Sequence, residues 1–444
     1  MPILTALSLV LLAPRDIVVL DVTQFGASAS PGEDTAAFQA AFDKARTLSG
    51  CVIRVPAGTF ELRNTFLYGN TQLEGVGPAS VIRTVGGQFG GMIVINSVHG
   101  EGAKTRPNEE NIQIRNLMFR GEADTQGKKE HDDLVRLLGT KNVTIENCDF
   151  VGFRGDGIYI GDGNAERGVV RHNYDVTVRN CRFDGLVRKN RNGITVGDGT
   201  NVTIQNCTFR EIGLTGIDIE QNKQPNHYCR QISVLDCRFT DNDGSAIVVD
   251  LPKSQQEMEQ PAKDLIFKRN VIKNQKNRAI LLNQNAPWMP GTLPVGAQVM
   301  DNEIDTATQS VTISGIQGVT VSGNKIRNVQ RGIQVGYGKL GATRGVTIER
   351  NEFTNVGTDP KFGGAPVVIF GALDVAVRFN TVLDTPGDSP SLLLFANAKN
   401  AIDADRITVQ GNSVSWQRAS SKRNQLFRAV NGVVVPSKAI REIE

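Results

Sequence analysis

The chain has 444 residues, of which 39% are hydrophobic and only 6% aromatic, and it contains 46 glycines. That length allows a large core, and many glycines with few aromatic residues favour a fold of short strands and turns over a helical one. The formal net charge is +3, from 49 basic and 46 acidic residues, so no electrostatic argument supports a nucleic-acid partner or a charged membrane surface.

The N-terminal residues MPILTALSLVLLAP are apolar and look like the hydrophobic core of a secretory signal. No basic residues precede this run, it lacks a clean small-x-small cleavage site, and it is too short to span a bilayer. We expect residues 1–15 to be an export signal and the protein to be secreted or periplasmic. The competing interpretation is a buried first strand.

Residues 19–85 contain one predicted amphipathic helix between short strands. Asp34 or Thr35 can cap the start of this helix. Its apolar positions have helical spacing and are Ala37, Phe38, Ala41 and Phe42. We expect the helix to cover an open sheet edge at the start of the fold, because unpaired strand edges invite aggregation.

A repeat begins at residue 142. NVTIENCDF (142–150), DVTVRNCRF (175–183), NVTIQNCTF (201–209) and QISVLDCRF (231–239) each place an alternating strand before a polar residue, a cysteine, any residue and a phenylalanine. Six later segments continue the series with asparagine in place of the cysteine, from DLIFKRNVI (264–272) to RITVQGNSV (406–414). The segments recur about every 22 to 33 residues, which fits solenoid coils with loops of unequal length.

A second short strand follows these segments, as in GIYIG (157–161), GITVG (193–197), GIDIE (216–220) and AIVVD (246–250). Stacked coils would bury the alternate residues of both strands in one continuous core. We therefore predict an all-β fold, a single-stranded right-handed parallel β-helix with an N-terminal capping α-helix. It should have about ten or more coils, spaced about 4.8 Å apart.

Four cysteines share one position of the repeat, and asparagine takes that position in the later coils. An asparagine amide can pass hydrogen bonds from coil to coil, and cysteine can fill the same space as a small hydrophobic residue. The interchange of these two residue types predicts packing, and we predict neither a disulfide nor a metal site there. The four are Cys148, Cys181, Cys207 and Cys237.

The predicted organisation is one β-helix domain over residues 16–415. Within it, residues 19–85 form an N-terminal cap module and residues 134–415 form the regular coils. The last stretch, residues 416–444, departs from the repeat and is predicted to be a C-terminal cap or tail.

Residues 19–85 resemble the start of pectate-lyase-like β-helix proteins. This superfamily includes polygalacturonase-related enzymes, rhamnogalacturonases, alginate C5-epimerases and many phage tailspikes. The matching features are DVTQFGA, the acidic residues before the helix, and VPAGTFEL followed by LEGVG. With the repeats, the resemblance covers about residues 19–415 and implies a polysaccharide or oligosaccharide substrate. It does not specify the reaction, since one fold hosts many functions.

Three carboxylates share the outward face of the second strands. By the repeat register, Glu220 and Asp250 are neighbours on adjacent coils, about 5 Å apart between backbones, and Asp218 lies about 6.6 Å from Glu220 along its strand. Glycoside hydrolysis needs one carboxyl group to protonate the leaving oxygen and another to activate water or attack the sugar. Crowded carboxylates favour this reaction, because their mutual repulsion raises the pKa of one of them and keeps that group protonated. We predict Glu220 and Asp250 as the catalytic pair, with Asp218 modulating them; a solvated acidic patch is the alternative.

Polar and aromatic residues around this face are predicted to bind the substrate. Trp288 is placed to stack on a sugar ring. Asp156, in GDGI, is similar to the first acidic motif of polygalacturonases, but their paired aspartates and Gly-His-Gly are absent, and GIDIEQN matches the epimerase Asp-Pro-His-Glu stretch only at Asp218. The predicted substrate-binding residues are Asp156, Tyr159, Lys189, Arg191, Lys223, His227 and Trp288.

Three functions follow as alternatives. The first is a glycoside hydrolase, which requires no cofactor. The second is a polysaccharide lyase or C5-epimerase on a uronate polymer, where Ca²⁺ would bridge the anionic substrate and the carboxylates. The third is a non-catalytic glycan-binding or tailspike-like protein. We expect neither nucleic acid nor membrane as a partner, and the sequence does not predict the oligomeric state.

Overall fold

A computed structural model describes the chain over residues 17–86, 91–97, 107–161, 171–221, 227–251, 262–284, 294–336, 343–359, 364–384, 391–395, 404–415, 425–429 and 440–443. Within these ranges the chain winds into a parallel β-helix, which confirms the predicted fold class. Each regular coil contributes one strand to each of three parallel ladders, which we call sheets A, B and C.

Sheet A holds the alternating strand that opens each repeat. Its described strands are Val18–Asp21, Cys51–Arg54, Thr71–Glu74, Glu109–Arg115, Thr140–Glu146, Tyr174–Arg179, Gly199–Gln205, Cys229–Leu235, Lys263–Lys268, Ala297–Met300, Gln317–Ser322, Thr343–Glu349, Ala372–Arg378, Asp405–Gln410 and Ile440–Ile443.

Sheet B holds the short strand after each cysteine or asparagine, and sheet C holds the second strand of the repeat. Sheet B comprises Gly58–Leu62, Ser80–Thr84, Met118–Arg120, Asp149–Val151, Arg182–Asp184, Thr208–Arg210, Arg238–Thr240, Lys325–Arg327, Glu352–Thr354, Thr381–Asp384 and Ser413–Val414. Sheet C comprises Thr65–Phe66, Ile93–Asn96, Val135–Leu138, Ile158–Gly161, Asn192–Val196, Thr215–Ile219, Ser245–Leu251, Arg331–Val335, Val367–Ile369, Ser391–Phe395 and Gln425–Ala429. Two long strands, Val271–Gln284 and Glu303–Ser314, run through both sheets.

Phenylalanine rings stack along the inside of sheet B. Phe119, Phe150, Phe183, Phe209 and Phe239 are fully buried, and successive ring centroids lie 5.0, 4.8, 4.7 and 4.7 Å apart. This is the spacing of neighbouring strands, because each ring comes from the same position of its coil. The rings and the aliphatic residues of all three sheets form one continuous core.

The turn from sheet A to sheet B carries the cysteine and asparagine positions. Cys148 Sγ lies 3.7 Å from the carbonyl oxygen of Ile114 on the preceding coil. Asn324 Nδ2 donates to the carbonyl of Val299 at 2.9 Å and to Asn351 Oδ1 at 2.9 Å. The cysteines are buried and form no disulfide. Both residue types therefore connect coils, as the interchange predicts.

The α-helix Thr35–Arg46 packs against the strands of the first coils. Phe38, Ala41 and Phe42 are buried against the core, which agrees with the predicted apolar face. The Asp34 carboxylate does not cap this helix but accepts the backbone N–H groups of Ser28 and Glu61 at 2.8 and 3.1 Å. The two other helices, Val22–Phe25 and Ala123–Gln126, are each a single turn. Among the described residues, no helix has both the length and the apolar character needed to cross a membrane.

The β-helix continues after the last recognisable repeat. Gln425–Ala429 pairs with Ser391–Phe395, and Ile440–Ile443 pairs with Asp405–Gln410. Both strands lie within residues 416–444, the stretch predicted to be a C-terminal cap or tail. Pairing needs only extended backbone, so a coil can form without the asparagine and phenylalanine that mark the repeat.

Candidate active site

A line of side chains runs along the outer face of sheet C, one from each successive coil. The strand register pairs Arg136 with Tyr159, Tyr159 with Thr195, Thr195 with Asp218, Asp218 with Val248, and Val248 with Leu281. We call this line the central column.

Three carboxylates meet on this face. Ile219 pairs with Val249, so Glu220 and Asp250 follow at neighbouring positions of adjacent coils. All three acidic side chains are half-buried, and Asn283 Nδ2 donates to Asp250 Oδ1 at 2.8 Å. The structure therefore brings together the three residues that the sequence singles out, Asp218, Glu220 and Asp250, and we call them the acidic cluster.

The carboxyl group of Asp218 has a raised pKa. Burial, followed by the neighbouring Glu220, raises its pKa to about 7, and Asp250 acts in the same direction. Arg191 and a hydrogen bond from Asn192 Nδ2 to Asp218 Oδ2, 3.2 Å long, act in the opposite direction. Asp218 can therefore hold a proton close to neutral pH, as a general acid must.

A buried polar chain leads from Asp218 into the wall of the β-helix. Asn192 Nδ2 also donates to Thr195 Oγ1 at 3.0 Å, and Asn192 N donates to Asp156 Oδ1 at 3.3 Å. Thr195 lowers the pKa of Asp156, whose Oδ2 accepts no hydrogen bond from any described residue. Asp156, Asn192 and Thr195 are all buried.

Arg191 is a positively charged residue that lies close to these acidic residues. Its Nη1 lies 3.8 Å from Asp156 Oδ2 and 3.5 Å from Glu130 Oε1, and its side chain is mostly buried. Behind it, Asp133 accepts the backbone N–H of Asp156 at 2.8 Å and lies 3.4 Å from Arg136 Nε. The positive charge of Arg191 thus lies close to the buried Asp156 and Asp133 and to Asp218.

Burial and the nearby Asp133 raise the pKa of Asp156 from 3.8 to about 8. Between these values the folded chain holds a proton that the unfolded chain has released, so stability falls as pH rises through this window. We expect Asp156→Asn, which does not titrate, to make the melting temperature less dependent on pH between pH 5 and pH 8. Thermal unfolding of both proteins at several pH values measures this, with the exposed Asp301→Asn as control; parallel pH profiles would contradict it.

The remaining predicted binding residues take different positions. Tyr159 is half-buried in the central column, with Arg136 Cζ 4.7 Å from its ring centroid. Lys189 is exposed in the turn before strand Asn192–Val196. His227 is buried, and its carbonyl accepts a hydrogen bond from Gln221 Nε2 at 2.6 Å. Lys223 and Trp288 lie outside the described residues.

A second polar group lies at the C-terminal ends of the sheet C strands. His172 Nδ1 lies 3.0 Å from a carboxylate oxygen of the buried Asp198, and the Tyr228 N–H donates to that carboxylate at 2.5 Å. The His172 and Tyr228 rings stack with centroids 3.7 Å apart. This arrangement joins residues that precede three successive sheet A strands, Tyr174–Arg179, Gly199–Gln205 and Cys229–Leu235. Gly-Asp-Gly, which occurs at 161–163 and again at 197–199, is its sequence signal.

Among the residues that the structure describes, no three or more His, Cys, Asp and Glu side chains are grouped so as to hold a metal ion. The acidic cluster lies on the outer face of sheet C, with Arg191 close enough to lower the pKa of Asp218. Such a site can bind a neutral or charged sugar, move a proton at Asp218 and accept one at a neighbouring carboxylate.

Comparison with solved structures identifies the same architecture. The chain is similar to the A-module of a mannuronan C-5 epimerase from Azotobacter vinelandii, with 16% identity, a TM-score of 0.57 and coverage of 93% of this chain and 99% of that one. It is similar to the tailspike protein of E. coli bacteriophage HK620, solved with a pentasaccharide, with 13% identity, a TM-score of 0.65 and coverage of 92% and 78%. It is also similar to a family 28 exopolygalacturonase from Yersinia enterocolitica, with 13% identity, a TM-score of 0.54 and coverage of 96% of this chain and 77% of that one.

Comparison of the sequence with protein families assigns the chain to a narrower group than the fold alone does. No curated protein matches it significantly. A family model described as rhamnogalacturonase A/epimerase, pectate lyase-like, matches residues 19–241, which is half of the chain and includes the strand that carries Asp218. The superfamily that the N-terminal motifs and repeats predict is confirmed. The chain belongs to the rhamnogalacturonase A/epimerase family of pectate-lyase-like, carbohydrate-active β-helix proteins.

Proposed function

We propose that the protein is a glycoside hydrolase that binds a polysaccharide or oligosaccharide along the outer face of sheet C. The observation that supports this most directly is the Asp218 carboxyl group, whose pKa is raised to about 7 by burial and by the adjacent Glu220. A carboxyl group of this kind is protonated in mildly acidic solution and can pass its proton to a glycosidic oxygen.

In the proposed reaction the carboxyl groups take two roles. The O–H bond of Asp218 breaks as its proton moves to the glycosidic oxygen, and the bond from that oxygen to the anomeric carbon breaks with its electron pair on the oxygen. A water molecule attacks the anomeric carbon and gives a proton to Glu220 or Asp250. The sequence-based hypothesis made Glu220 and Asp250 the pair; the pKa of Asp218 favours Asp218 as the acid and leaves those two as candidates for the base.

Glu220→Gln and Asp250→Asn test the role of base. The variant that lacks the base should lose about 10²-fold or more of kcat, because an amide cannot accept the proton of water. We expect nearly unchanged melting temperatures, since both side chains are half-buried on the outer face. The assay is release of reducing ends from a panel of neutral and uronic polysaccharides. Asp301→Asn and Glu303→Gln, on distant surface ion pairs, serve as matched controls. Full activity in both cluster variants would exclude them as the base.

The same panel separates the second candidate, a polysaccharide lyase or C5-epimerase that uses Ca²⁺. The fold likeness to a mannuronan C-5 epimerase favours this candidate, as do the carboxylate oxygens of Glu220 and Asp250, which are suitable calcium ligands. A lyase produces unsaturated ends that absorb in the ultraviolet, and an epimerase changes the uronate without cutting the chain. Either product, lost on addition of a chelator, would replace the hydrolase proposal. Binding without any product would indicate a glycan-binding protein.

We also propose that the protein acts outside the cytoplasm, either secreted or periplasmic. The support for this is the apolar N-terminal sequence, which lies before the described residues. Fractionation of cells that express the full chain, with N-terminal sequencing of the product, tests the proposal; an unprocessed chain confined to the cytoplasm would contradict it.

A further inference from the structure

The accessibility of the outer face of sheet C changes along the β-helix axis. Beyond Leu281, the strand register continues the central column through Thr312, Gln334, Val368 and Leu394. Leu281 is half-buried, whereas none of these four residues is more than 2% exposed. We call the coils from Arg136 to Leu281 the open stretch and those from Thr312 to Leu394 the covered stretch.

The next outward position of each sheet C strand changes at the same coil. Glu220, Asp250 and Asn283 are half-buried, and on the following coils Ser314, Gly336 and Phe370 are buried. Both outward positions of the face therefore become inaccessible at the coil of Thr312.

The covered stretch includes an apolar cluster of its own. Val367 and Ile369 belong to the main core, so Val368 and Phe370, at the alternate positions of that strand, lie on the outer face. With Ala365 and Leu394 they form a cluster separate from the main core. Because these exposures are those of a single chain, the chain itself covers this part of the face.

A lengthened turn borders the covered stretch. The turn between sheets B and C takes residues 328–330 on one coil and residues 355–366 on the next. The longer turn is held against the shorter one, since Asp359 N donates to Gln330 O at 3.0 Å and Asp359 Oδ2 accepts from Arg331 Nε at 2.6 Å. The described part of this turn is therefore fixed at the edge of the covered face.

In the opposite direction from the acidic cluster the face remains accessible. Tyr159 and Arg136, on earlier coils, are half-buried. Thr195, between Tyr159 and Asp218, is buried, and its Oγ1 accepts a hydrogen bond from Asn192 Nδ2 on its own strand at 3.0 Å. The open stretch therefore extends for several coils on this side.

The acidic cluster lies close to the covered stretch. Asp250 pairs with Asn283, and Asn283 pairs with Ser314, so two coil steps of about 4.8 Å lead from the cluster to the first covered coil. A sugar unit is about as long as one coil step. The accessible face beyond the cluster therefore has room for about one or two sugar units.

We propose that the covered stretch closes one end of the glycan-binding face, so that the protein acts at a chain end and releases a mono- or disaccharide. This inference rests on the proposed function, because it takes the acidic cluster as the place where the bond is cleaved. The rest of the glycan chain would lie along the open stretch towards Arg136.

The lengths of the first products test this mode of action. We expect a mono- or disaccharide from the earliest time points and a slow fall in viscosity for each bond cleaved, because every cut shortens a chain only at its end. Chromatography of the products and viscometry of the polysaccharide measure both. Early products of many lengths would overturn the proposal, even for an active hydrolase.

A matched pair of variants tests the covered stretch without a substrate. Val248→Cys and Val368→Cys place a thiol at two valines of the central column, one half-buried and one 1% exposed. The six native cysteines are buried, so the wild-type protein gives the background reaction. We expect a thiol reagent to modify the folded Val368→Cys protein at least about tenfold more slowly than Val248→Cys, because reaction there requires local opening. Equal rates would overturn the proposal.

Binding separates this proposal from the glycoside hydrolase proposal. If the protein cleaves no glycan but binds one molecule per glycan chain at every chain length, the hydrolase proposal fails and chain-end binding stands. Calorimetric titration with chains of increasing length measures this number. A number of bound proteins that rises with chain length would overturn chain-end binding, and binding to no glycan would overturn both proposals.

Discussion

Asp218→Asn is expected to lower kcat by about 10²–10⁴-fold, the range over which general acid catalysis contributes. Asparagine has nearly the same shape but cannot give a proton to the glycosidic oxygen. The wild-type rate should decline as pH rises past about 7, because Asp218, with its raised pKa, then loses the proton it must donate. The measurement is kcat as a function of pH on the glycan that the panel identifies.

Stability measurements show whether the activity loss comes from misfolding. Since the pKa of Asp218 is raised on folding, its ionised form destabilises the folded state, and this cost grows as pH rises from 3.8 to about 7. The variant should therefore melt at the same or a higher temperature than the wild type at pH 8. Lost activity with a lowered melting temperature, or a wild-type kcat that keeps rising above pH 8, would count against Asp218 as the acid.

Asn324→Ala should have the largest effect on stability, roughly 3–5 kcal/mol, because each buried partner left unsatisfied costs about 1–3 kcal/mol. Asn324 Nδ2 donates to Val299 O and Asn351 Oδ1, and Asn324 Oδ1 accepts both N and Nδ2 of Asn302 at 2.9 Å. Alanine leaves the Asn302 backbone N–H without its acceptor and removes the side-chain donor to Val299 O. Asn351 Oδ1 still accepts the Asn324 backbone N–H, and Asn302 Nδ2 still donates to Phe267 O. Urea unfolding followed by circular dichroism measures the change.

A graded pair of variants tests the explanation. Asn324→Cys should cost less than Asn324→Ala, because a thiol in the same position can donate to the strand of the preceding coil, as Cys148 does. Asn277→Ala, at an exposed position, should change the free energy of unfolding by less than about 0.5 kcal/mol. Equal losses in the alanine and cysteine variants would mean that the hydrogen bonds between coils contribute little.

The sequence was sufficient for the fold and for the composition of the acidic cluster. Both follow from a repeat whose strands alternate inward and outward residues, so aligning the strands gives the register, and the register gives the neighbours. The strand register of the repeat predicts that Asp218, Glu220 and Asp250 are neighbours, and the same register makes them neighbours in the structure. However, the alternation of inward and outward side chains, which repeats every two residues, determines the direction of a side chain only within a strand.

The errors lie where that periodicity ends. Asp156 lies three residues before Tyr159, ahead of strand Ile158–Gly161, and its side chain is buried. Asn192, three residues before Thr195, holds the equivalent place on the next coil and was missed. His227, assigned to a loop that lines the groove, is instead buried. Asp133, Asp156, Asn192 and Thr215 repeat at one offset, and this polar column was the available signal.

The register of sheet C also limits how such a site can change. Positions on its outer face differ by steps of about 4.8 Å along the axis and about 6.6–6.8 Å along a strand, so the backbone spacing between functional groups takes discrete values. Loops between strands can lengthen or shorten without moving these positions. A new specificity can therefore arise through loop insertion while the spacing of Asp218, Glu220 and Asp250 is preserved, whereas moving the acid by one coil requires an exchange of residues between strands.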